Sequence, residues 1–176
     1  MMSKRLDPCV VDTNVPMVAN GKSTAGAKCM EACAKKLSEI VERGHVVIDD
    51  SFLLLREYCA NLNSSGQPGV GDHFCRWVLT NRGNSTRCTC VRITPTPEGS
   101  YTEFPRHPGL KGFDPSDHKF IAVAAAHPQK PCVLQAFDTK WWPVRDAFKA
   151  CGINITFLCP DEIKAKYEEK FGCGCS

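Results

Sequence analysis

Four acidic residues stand at positions in the sequence from which a chain can assemble a reactive site. Asp12 ends the short apolar run CVV, and Asp138 ends the run VLQAF in the same way. Glu57 lies in the amphipathic segment SFLLLREYCANL, and Asp117 comes just before the apolar run FIAVAAA. Each acid alone has an ordinary explanation, because Asp forms turns and stabilises helix N-termini. Chemistry therefore depends on whether the fold brings the four together.

Apolar runs alternate with amphipathic segments along the whole chain. The runs predict strands at 8–14, 45–50, 131–138 and 153–158, and alternating residues predict another at 87–94. The segments predict helices at 25–44, 51–62, 72–81, 114–127, 141–152 and 160–172, with Ser51 and Asp114 as candidate N-caps. Buried strands separated by helices indicate the α/β class, as a three-layer α/β/α sandwich with a central, mostly parallel sheet.

The carboxyl ends of parallel strands meet at one edge of a sheet, and ligands of such folds bind there. We therefore expect Asp12 and Asp138 at this edge, with Glu57 and Asp117 in early helical turns close by. Four like charges in a small space repel one another unless a cation joins them. Mg²⁺ and Mn²⁺ prefer such oxygen ligands, activate water and stabilise charge on a phosphodiester.

The four acids occur in motifs that resemble, in order and approximate spacing, those of PIN-domain nucleases. The resemblance covers about residues 8–160. The motifs are VVDTN at 10–14, EY at 57–58, SDHKFIAVAAA at 116–126 and AFDTKWW at 136–142.

The resemblance implies metal-dependent cleavage of single-stranded or unpaired RNA. By position, it implies that the four acids hold Mg²⁺ or Mn²⁺ and activate water; these are Asp12, Glu57, Asp117 and Asp138. Thr13 and Asn14 would be polar helpers that orient a carboxylate or a water molecule. Asp114 is a reserve ligand, and its expected role is to cap the following helix.

The segment 82–112 is longer than a minimal PIN domain requires, and we expect it to form an irregular insertion in a single domain spanning 1–176. Its basic residues are interleaved with Tyr101 and Phe104, a composition that suits phosphate binding and base stacking. An irregular cover over a sheet edge explains the same composition equally well. His118 needs no catalytic role beside a metal site, and one ring of the Trp141/Trp142 pair is expected in the core.

The chain has 176 residues, 12 cysteines and a net charge of +3, which neither indicates nor excludes nucleic-acid binding. A domain of this length can bury a core without disulfides, so we expect reduced thiols. Cysteines lie close in sequence at 29/33, 88/90 and 173/175, but the last two pairs are tighter than usual zinc-ligand pairs. No apolar run reaches signal-peptide or membrane-span length, so we expect a soluble, cytoplasmic protein without membrane contacts.

Three functional hypotheses from different classes remain open. The first is an endoribonuclease, with a role as a toxin or defence effector compatible with its size. The second is a nuclease acting on DNA or flap substrates, although no helical arch is recognisable in the sequence. The third is a catalytically silent PIN-like module that binds proteins, which the presence of all four acids disfavours. RNA, an inhibitory or activating protein and a second copy of the chain are the expected partners.

Overall fold

A computed structural model of the chain describes residues 4–172, which form an α/β domain. The strands are β1 (Cys9–Val11), β2 (Val46–Asp49), β3 (Cys88–Val91), β4 (Cys132–Gln135) and β5 (Ile155–Phe157). The α-helices are α1 (Asn14–Ala19), α2 (Ala27–Arg43), α3 (Leu53–Asn61), α4 (Val70–Asn81), α5 (His118–Ala126), α6 (Arg145–Ala150) and α7 (Pro160–Phe171). Short 3₁₀ helices lie at Pro108–Leu110, Pro115–Asp117 and Thr139–Trp141. Between residues 4 and 172, no helix is both long and apolar enough to cross a membrane.

The five strands form one sheet in the order β3-β2-β1-β4-β5, and every pairing is parallel. Helices flank this sheet, so the predicted three-layer α/β/α class is confirmed. From β1 the chain first proceeds to β2 and β3 on one side, and later to β4 and β5 on the other. The order therefore reverses between β1 and β4, and in parallel sheets this crevice is the usual place for a ligand.

The core is built from the strands and from the apolar faces of the helices packed on them. All residues of β1 and β2 are buried. On α2, one face is buried at Cys29, Cys33, Leu37 and Ile40. Helix α5 packs against β1, β2 and β4. Burial on both sides explains why β1, β2 and β4 read as continuous apolar runs.

The chain turns into a helix directly after β1, where the sequence pattern predicts a strand as far as residue 14. The backbone amide of Asn14 donates to Asp12 Oδ1 at 2.8 Å, and that of Val15 donates to the carbonyl of Asp12 at 3.0 Å. Proline is tolerated in the first turn of a helix, so Pro16 does not oppose α1. The prediction overlooked α1 because apolar residues fill both elements.

Helix α3 has a different cap from the predicted Ser51. The side chain of Asp49, fully buried at the end of β2, accepts hydrogen bonds from the amides of Leu53 and Leu54 at 2.8 and 2.9 Å. Phe52 connects the two elements in a left-handed conformation with φ of 60°. A buried carboxylate therefore satisfies the free amides at the helix start.

Part of the predicted insertion at 82–112 is regular. Residues Cys88–Val91 form the edge strand β3 and pair with all of β2. The irregular part follows it and contains one isolated bridge between Pro95 and Tyr101. Phe104 in this part stacks on His118 with 3.8 Å between ring centroids. The irregular part is thereby fixed to the start of α5.

The expectation of reduced thiols is wrong for one pair of cysteines. Cys29 on α2 and Cys159 before α7 form a disulfide across 130 residues of sequence. It connects an early helix to the last one, a link that cysteine spacing alone does not reveal. The pair Cys173/Cys175 lies outside the described residues.

Candidate active site

The crevice where the strand order reverses contains the two acids that follow β1 and β4. The amide of Asp12 donates to the carbonyl of Leu134 at 3.1 Å, so strand pairing continues up to this acid. Asp138 follows β4 by three residues and lies beside the same crevice. Glu57 comes from α3 and Asp117 from the start of α5. These four residues are called the acidic edge below.

Asp12 is buried, with 5% of its surface exposed. Burial raises the pKa of its carboxyl group well above the usual value, and the charge of Asp117 raises it further. The charges of Glu57 and Asp138 act in the same direction, against a hydrogen bond from the amide of Asn14. The structure thus places all three other acids within electrostatic reach of Asp12.

Glu57 is held by two neighbours from different parts of the chain. The hydroxyl of Thr13 donates to Glu57 Oε1 at 2.7 Å. Lys119 Nζ lies 2.6 Å from Glu57 Oε2 and forms an ion pair with it. Arg56, the neighbour of Glu57 in sequence, donates to the carbonyl of Ser51 instead. A cation thus already faces one of the four carboxylates.

Asn14 and Gln135 fix the loop that carries Asp138. The amide of Phe137 donates to Asn14 Oδ1 at 2.9 Å, which joins the loops after β1 and β4. Gln135 Oε1 accepts from the amides of Ala136 at 2.8 Å and Asp138 at 3.4 Å. Asp138 in turn accepts from the amide of Lys140 at 3.0 Å, at the start of the 3₁₀ helix that follows. Asn14 is therefore a positioning residue for this loop.

Asp117 and Asp114 have different roles at the start of α5. Burial, followed by the charges of Asp138 and Asp114, raises the pKa of Asp117 to about 6. Asp114 accepts from the amide of Ser116 at 3.0 Å and so caps the 3₁₀ helix Pro115–Asp117 that leads into α5, where the sequence predicted a cap of the α-helix itself. It also pairs with Lys140 at 2.7 Å, and this contact, with the Ser116 hydrogen bonds, lowers its pKa. Asp117 belongs to the acidic edge, whereas Asp114 stands beside it.

The donors of the acidic edge are carboxylate oxygens, which suit hard divalent cations such as Mg²⁺ and Mn²⁺. In the part of the chain from 4 to 172, however, no three of these acids bring oxygens within 4.8 Å of one another. One of the four carboxylates, that of Glu57, forms an ion pair with Lys119 instead. The chemistry of the donor set fits a divalent ion, and the spacing of the oxygens is wider than in an assembled site.

Other residues singled out in the sequence serve the fold. His118 Nε2 donates to the carbonyl of Phe113 at 3.0 Å, and Nδ1 forms a hydrogen bond with Ser100 Oγ at 2.7 Å. It also stacks on Phe104, so it anchors the segment after β3, and burial lowers its pKa. Trp141 is buried and Trp142 is partly exposed, as expected for a pair with one core ring.

The basic residues of the segment 82–112 include some that serve the fold and others that are exposed to solvent. Arg87 donates to the carbonyls of Ile40 and Val41 and lies over the Trp77 ring at 5.0 Å, so it ties the sheet edge to α2 and α4. Arg92 and Arg106 are exposed. Only the exposed residues remain as candidates for phosphate contacts.

Three residues around the acidic edge were not singled out from the sequence. Lys119 has no distinguishing pattern, since a lysine beside a histidine is common on a helix surface. Gln135 reads as the polar end of an apolar run. The hydroxyl of Tyr58 donates to the carbonyl of Val11 at 2.5 Å and secures α3 to β1. The EY pair had drawn attention to Tyr58 without indicating this contact.

Comparisons with protein-family models, with curated proteins and with solved structures find no match to this chain. The fold and site therefore define a class by their own geometry: a parallel α/β/α domain with four acids around its central crevice. The similarity to PIN-domain nucleases rests on the motifs alone.

Proposed function

We propose that the protein is a metal-dependent endoribonuclease that hydrolyses phosphodiester bonds of single-stranded or unpaired RNA. The observation that supports this most directly is the buried Asp12, whose charge faces those of Asp117, Glu57 and Asp138. Such a cluster opposes folding when all four groups are charged, and proteins keep perturbed acids of this kind chiefly at functional sites. A bound divalent cation would convert the repulsion into attraction.

The residues divide into ligands and positioning groups. Asp12, Glu57, Asp117 and Asp138 would hold Mg²⁺ or Mn²⁺, which would supply positive charge to the scissile phosphodiester and lower the pKa of a water molecule. The Thr13 hydroxyl orients Glu57 through its hydrogen bond. Asn14 holds the loop of Asp138 against α1, as described above.

Two lysines at the crevice suit a polyanionic substrate. Lys119 pairs with Glu57, and the exposed Lys140 lies two residues after Asp138. Their positive charges would attract phosphates toward an edge that is otherwise acidic. The resemblance to PIN-domain nucleases is what favours RNA over DNA. It also supports a cytoplasmic enzyme, with a toxin or defence role if a neutralising or activating protein partner exists.

The test is cleavage of a labelled single-stranded RNA and of a DNA with the same sequence. Wild-type protein is assayed with Mn²⁺, with Mg²⁺ and with EDTA, beside Asp12→Asn and the control Asp50→Asn. Asp50 is an exposed acid directly after β2, the strand beside β1, and is not one of the four acids of the acidic edge. We expect Mn²⁺-dependent RNA cleavage that Asp12→Asn reduces by at least about a hundredfold, because outer partners of metal sites already contribute ten- to hundredfold.

The outcomes separate the alternatives. Cleavage of the DNA but not the RNA would replace the proposal with a deoxyribonuclease at the same edge. No cleavage of either strand by folded protein, together with no effect of Mn²⁺ on its stability, would favour a silent binding module. Wild-type activity in Asp12→Asn would refute the assignment of the acidic edge.

A further inference from the structure

Three cysteine sulfurs lie close together and form a group of soft ligands, in contrast to the hard oxygen ligands of the acidic edge. Cys29 and Cys33 lie one turn apart on the buried face of α2, and Cys159 precedes the first residue of α7. Their Sγ atoms all lie within 4.8 Å of one another. Among residues 4–172, this is the only group of three or more His, Cys, Asp or Glu side chains that meets this distance. These residues are called the thiol cluster below.

Two members of the thiol cluster form the disulfide, and the third is a free thiol. Cys29 and Cys159 are bonded to each other, and Cys33 is fully buried beside them. A disulfide that served only to connect α2 with α7 would need two sulfurs. The third sulfur gives the cluster the number of thiolates with which proteins hold Zn²⁺ in Cys₃-type sites.

A cavity gives access to the thiol cluster from solvent. It has a volume of about 420 Å³ and is lined by Cys29 and Cys159 together with Lys28, Leu158 and Glu162. The carboxylate of Glu162 accepts a hydrogen bond from the amide of Gly26 at 3.1 Å. The cavity leaves room for a water molecule. Zinc sites with three protein ligands complete their tetrahedron with such a water as the fourth ligand.

We propose that the thiol cluster is a redox-linked binding site for a soft divalent cation such as Zn²⁺. A dithiol reductant cleaves the Cys29–Cys159 bond, transfers two electrons and two protons to the two sulfurs, and itself becomes a disulfide. The three thiols then release protons as their thiolates bind the ion. Oxidation of the cluster back to the disulfide, by any two-electron oxidant of thiols, expels the ion. The site is independent of the acidic edge, which offers only oxygen ligands.

The experiment uses full-length protein and Cd²⁺, because cadmium thiolates give a charge-transfer absorption band. One portion is reduced with dithiothreitol and desalted without oxygen, and another is kept oxidised. We expect the reduced protein to bind one Cd²⁺ per chain at this band, with Zn²⁺ displacing it in competition, and the oxidised protein to bind none. Asp12→Asn should bind Cd²⁺ as wild type does.

The Cys33→Ser variant distinguishes a metal site from a purely structural disulfide, because such a disulfide does not involve Cys33. We expect Cys33→Ser to form the disulfide normally when oxidised, and to bind Cd²⁺ more than about a hundredfold more weakly when reduced. Cys159→Ser, at the cavity, provides a second ligand variant if Cys33→Ser fails to fold. The control Cys151→Ser, a half-buried cysteine after α6, should leave Cd²⁺ binding unchanged.

Several results would overturn the proposal. One is the absence of Cd²⁺ binding by reduced wild-type protein that retains its circular dichroism spectrum. Another is unchanged affinity in both Cys33→Ser and Cys159→Ser. A third is binding that disappears in the double variant Cys173→Ser/Cys175→Ser but survives Cys33→Ser, which would place the ion at the terminal pair.

Discussion

Asp72 at the start of α4 and Asp12 at the end of β1 are 3% and 5% exposed, and their surroundings differ. Asp72 accepts hydrogen bonds from Asn20 Nδ2 at 2.9 Å and from the amides of Asn63 and Gly69 at 2.8 and 2.9 Å. Burial acts to raise its pKa, but these hydrogen bonds outweigh it and lower the pKa below the usual value. No other carboxylate contributes to this shift in the pKa of Asp72.

Asp12 accepts from the amide of Asn14 and faces three carboxylates, so its pKa moves upward. Asp72 is a buried acid that the fold has satisfied in its charged form. Asp12 is a buried acid that the fold leaves uncompensated. Burial of an acid therefore does not by itself identify a functional residue. Asp12 differs from Asp72 in having one hydrogen-bond donor instead of three and in facing like charges.

The largest expected effect on stability is the difference between the same isosteric substitution, Asp to Asn, at Asp72 and at Asp12. Asp72→Asn replaces an acceptor oxygen with a donor and removes the charge that its donors stabilise, so it should cost about 2–4 kcal/mol of the free energy of unfolding. Asp12→Asn removes repulsion and should leave that free energy equal or higher. Urea unfolding in EDTA at neutral pH measures both. Equal losses in the two variants would mean that Asp12 is as satisfied as Asp72, and the contrast would fail.

Divalent cations should act on one of these regions only. At a Mn²⁺ concentration 100 times its dissociation constant, a single site would stabilise the protein by about 2.7 kcal/mol through mass action. We expect this gain in wild type and in the control Asp50→Asn, and its loss in Asp12→Asn. Melting temperatures with and without Mn²⁺ provide the measurement, with the disulfide kept intact in all samples. A gain that persists in Asp12→Asn would place the ion away from the acidic edge.

Much of this fold follows from the sequence because its three central strands are buried on both faces. Continuous apolar runs locate β1, β2 and β4, alternation locates the edge strand β3, and the face of α2 follows from 3.6-residue spacing. The convergence of Asp12 and Asp138 at one edge then needs only the rule for parallel sheets. What remains a prediction is the identity of the ion and of the substrate.

The features that the sequence did not provide have different physical origins. Asp49 caps α3 from four residues away because Phe52 adopts a left-handed conformation, which the sequence pattern does not indicate. The Cys29–Cys159 disulfide and the Lys119–Glu57 ion pair join residues 130 and 62 positions apart, which no local pattern specifies. Helix α1 was overlooked for another reason: its apolar residues continue those of β1 without a change of composition.

The pH dependence of stability should have opposite signs at the two regions. The pKa of Asp117 in the folded protein is about 6, above its value of 3.8 in the unfolded chain. Asp117 therefore contributes stability that is fully present below pH 4 and lost as the pH rises through 6. Asp72 has a lowered pKa, so its contribution is present above pH 4 and lost as the pH falls.

The variant Asp117→Asn checks this sign. In EDTA, wild type should lose on the order of 1–2 kcal/mol relative to Asp117→Asn between pH 4 and pH 7. Urea unfolding at half-unit steps of pH measures the difference. A constant difference over this range would mean that Asp117 keeps an ordinary pKa and stands outside the acidic edge.

The smallest expected effect concerns the cation that the protein itself places at the acidic edge. Lys119 pairs with Glu57 at 2.6 Å, so it competes with a divalent ion for this carboxylate. Lys119→Gln should change the free energy of unfolding by less than about 1 kcal/mol and strengthen Mn²⁺ binding about two- to fivefold. Calorimetric titration with Mn²⁺ measures the affinity.

Lys36→Gln is the matched control, because Lys36 pairs with Glu39 on α2 and does not contribute to the pKa shifts of Asp12 and Asp117. We expect it to leave the affinity for Mn²⁺ within about twofold of wild type, since an exposed pair contributes little. Weaker binding in Lys119→Gln would reverse the interpretation of the lysine. Lys119 would then hold Glu57 in place for the ion. The acidic edge would differ from the surroundings of Asp72 in the charge of its partners and not in their number.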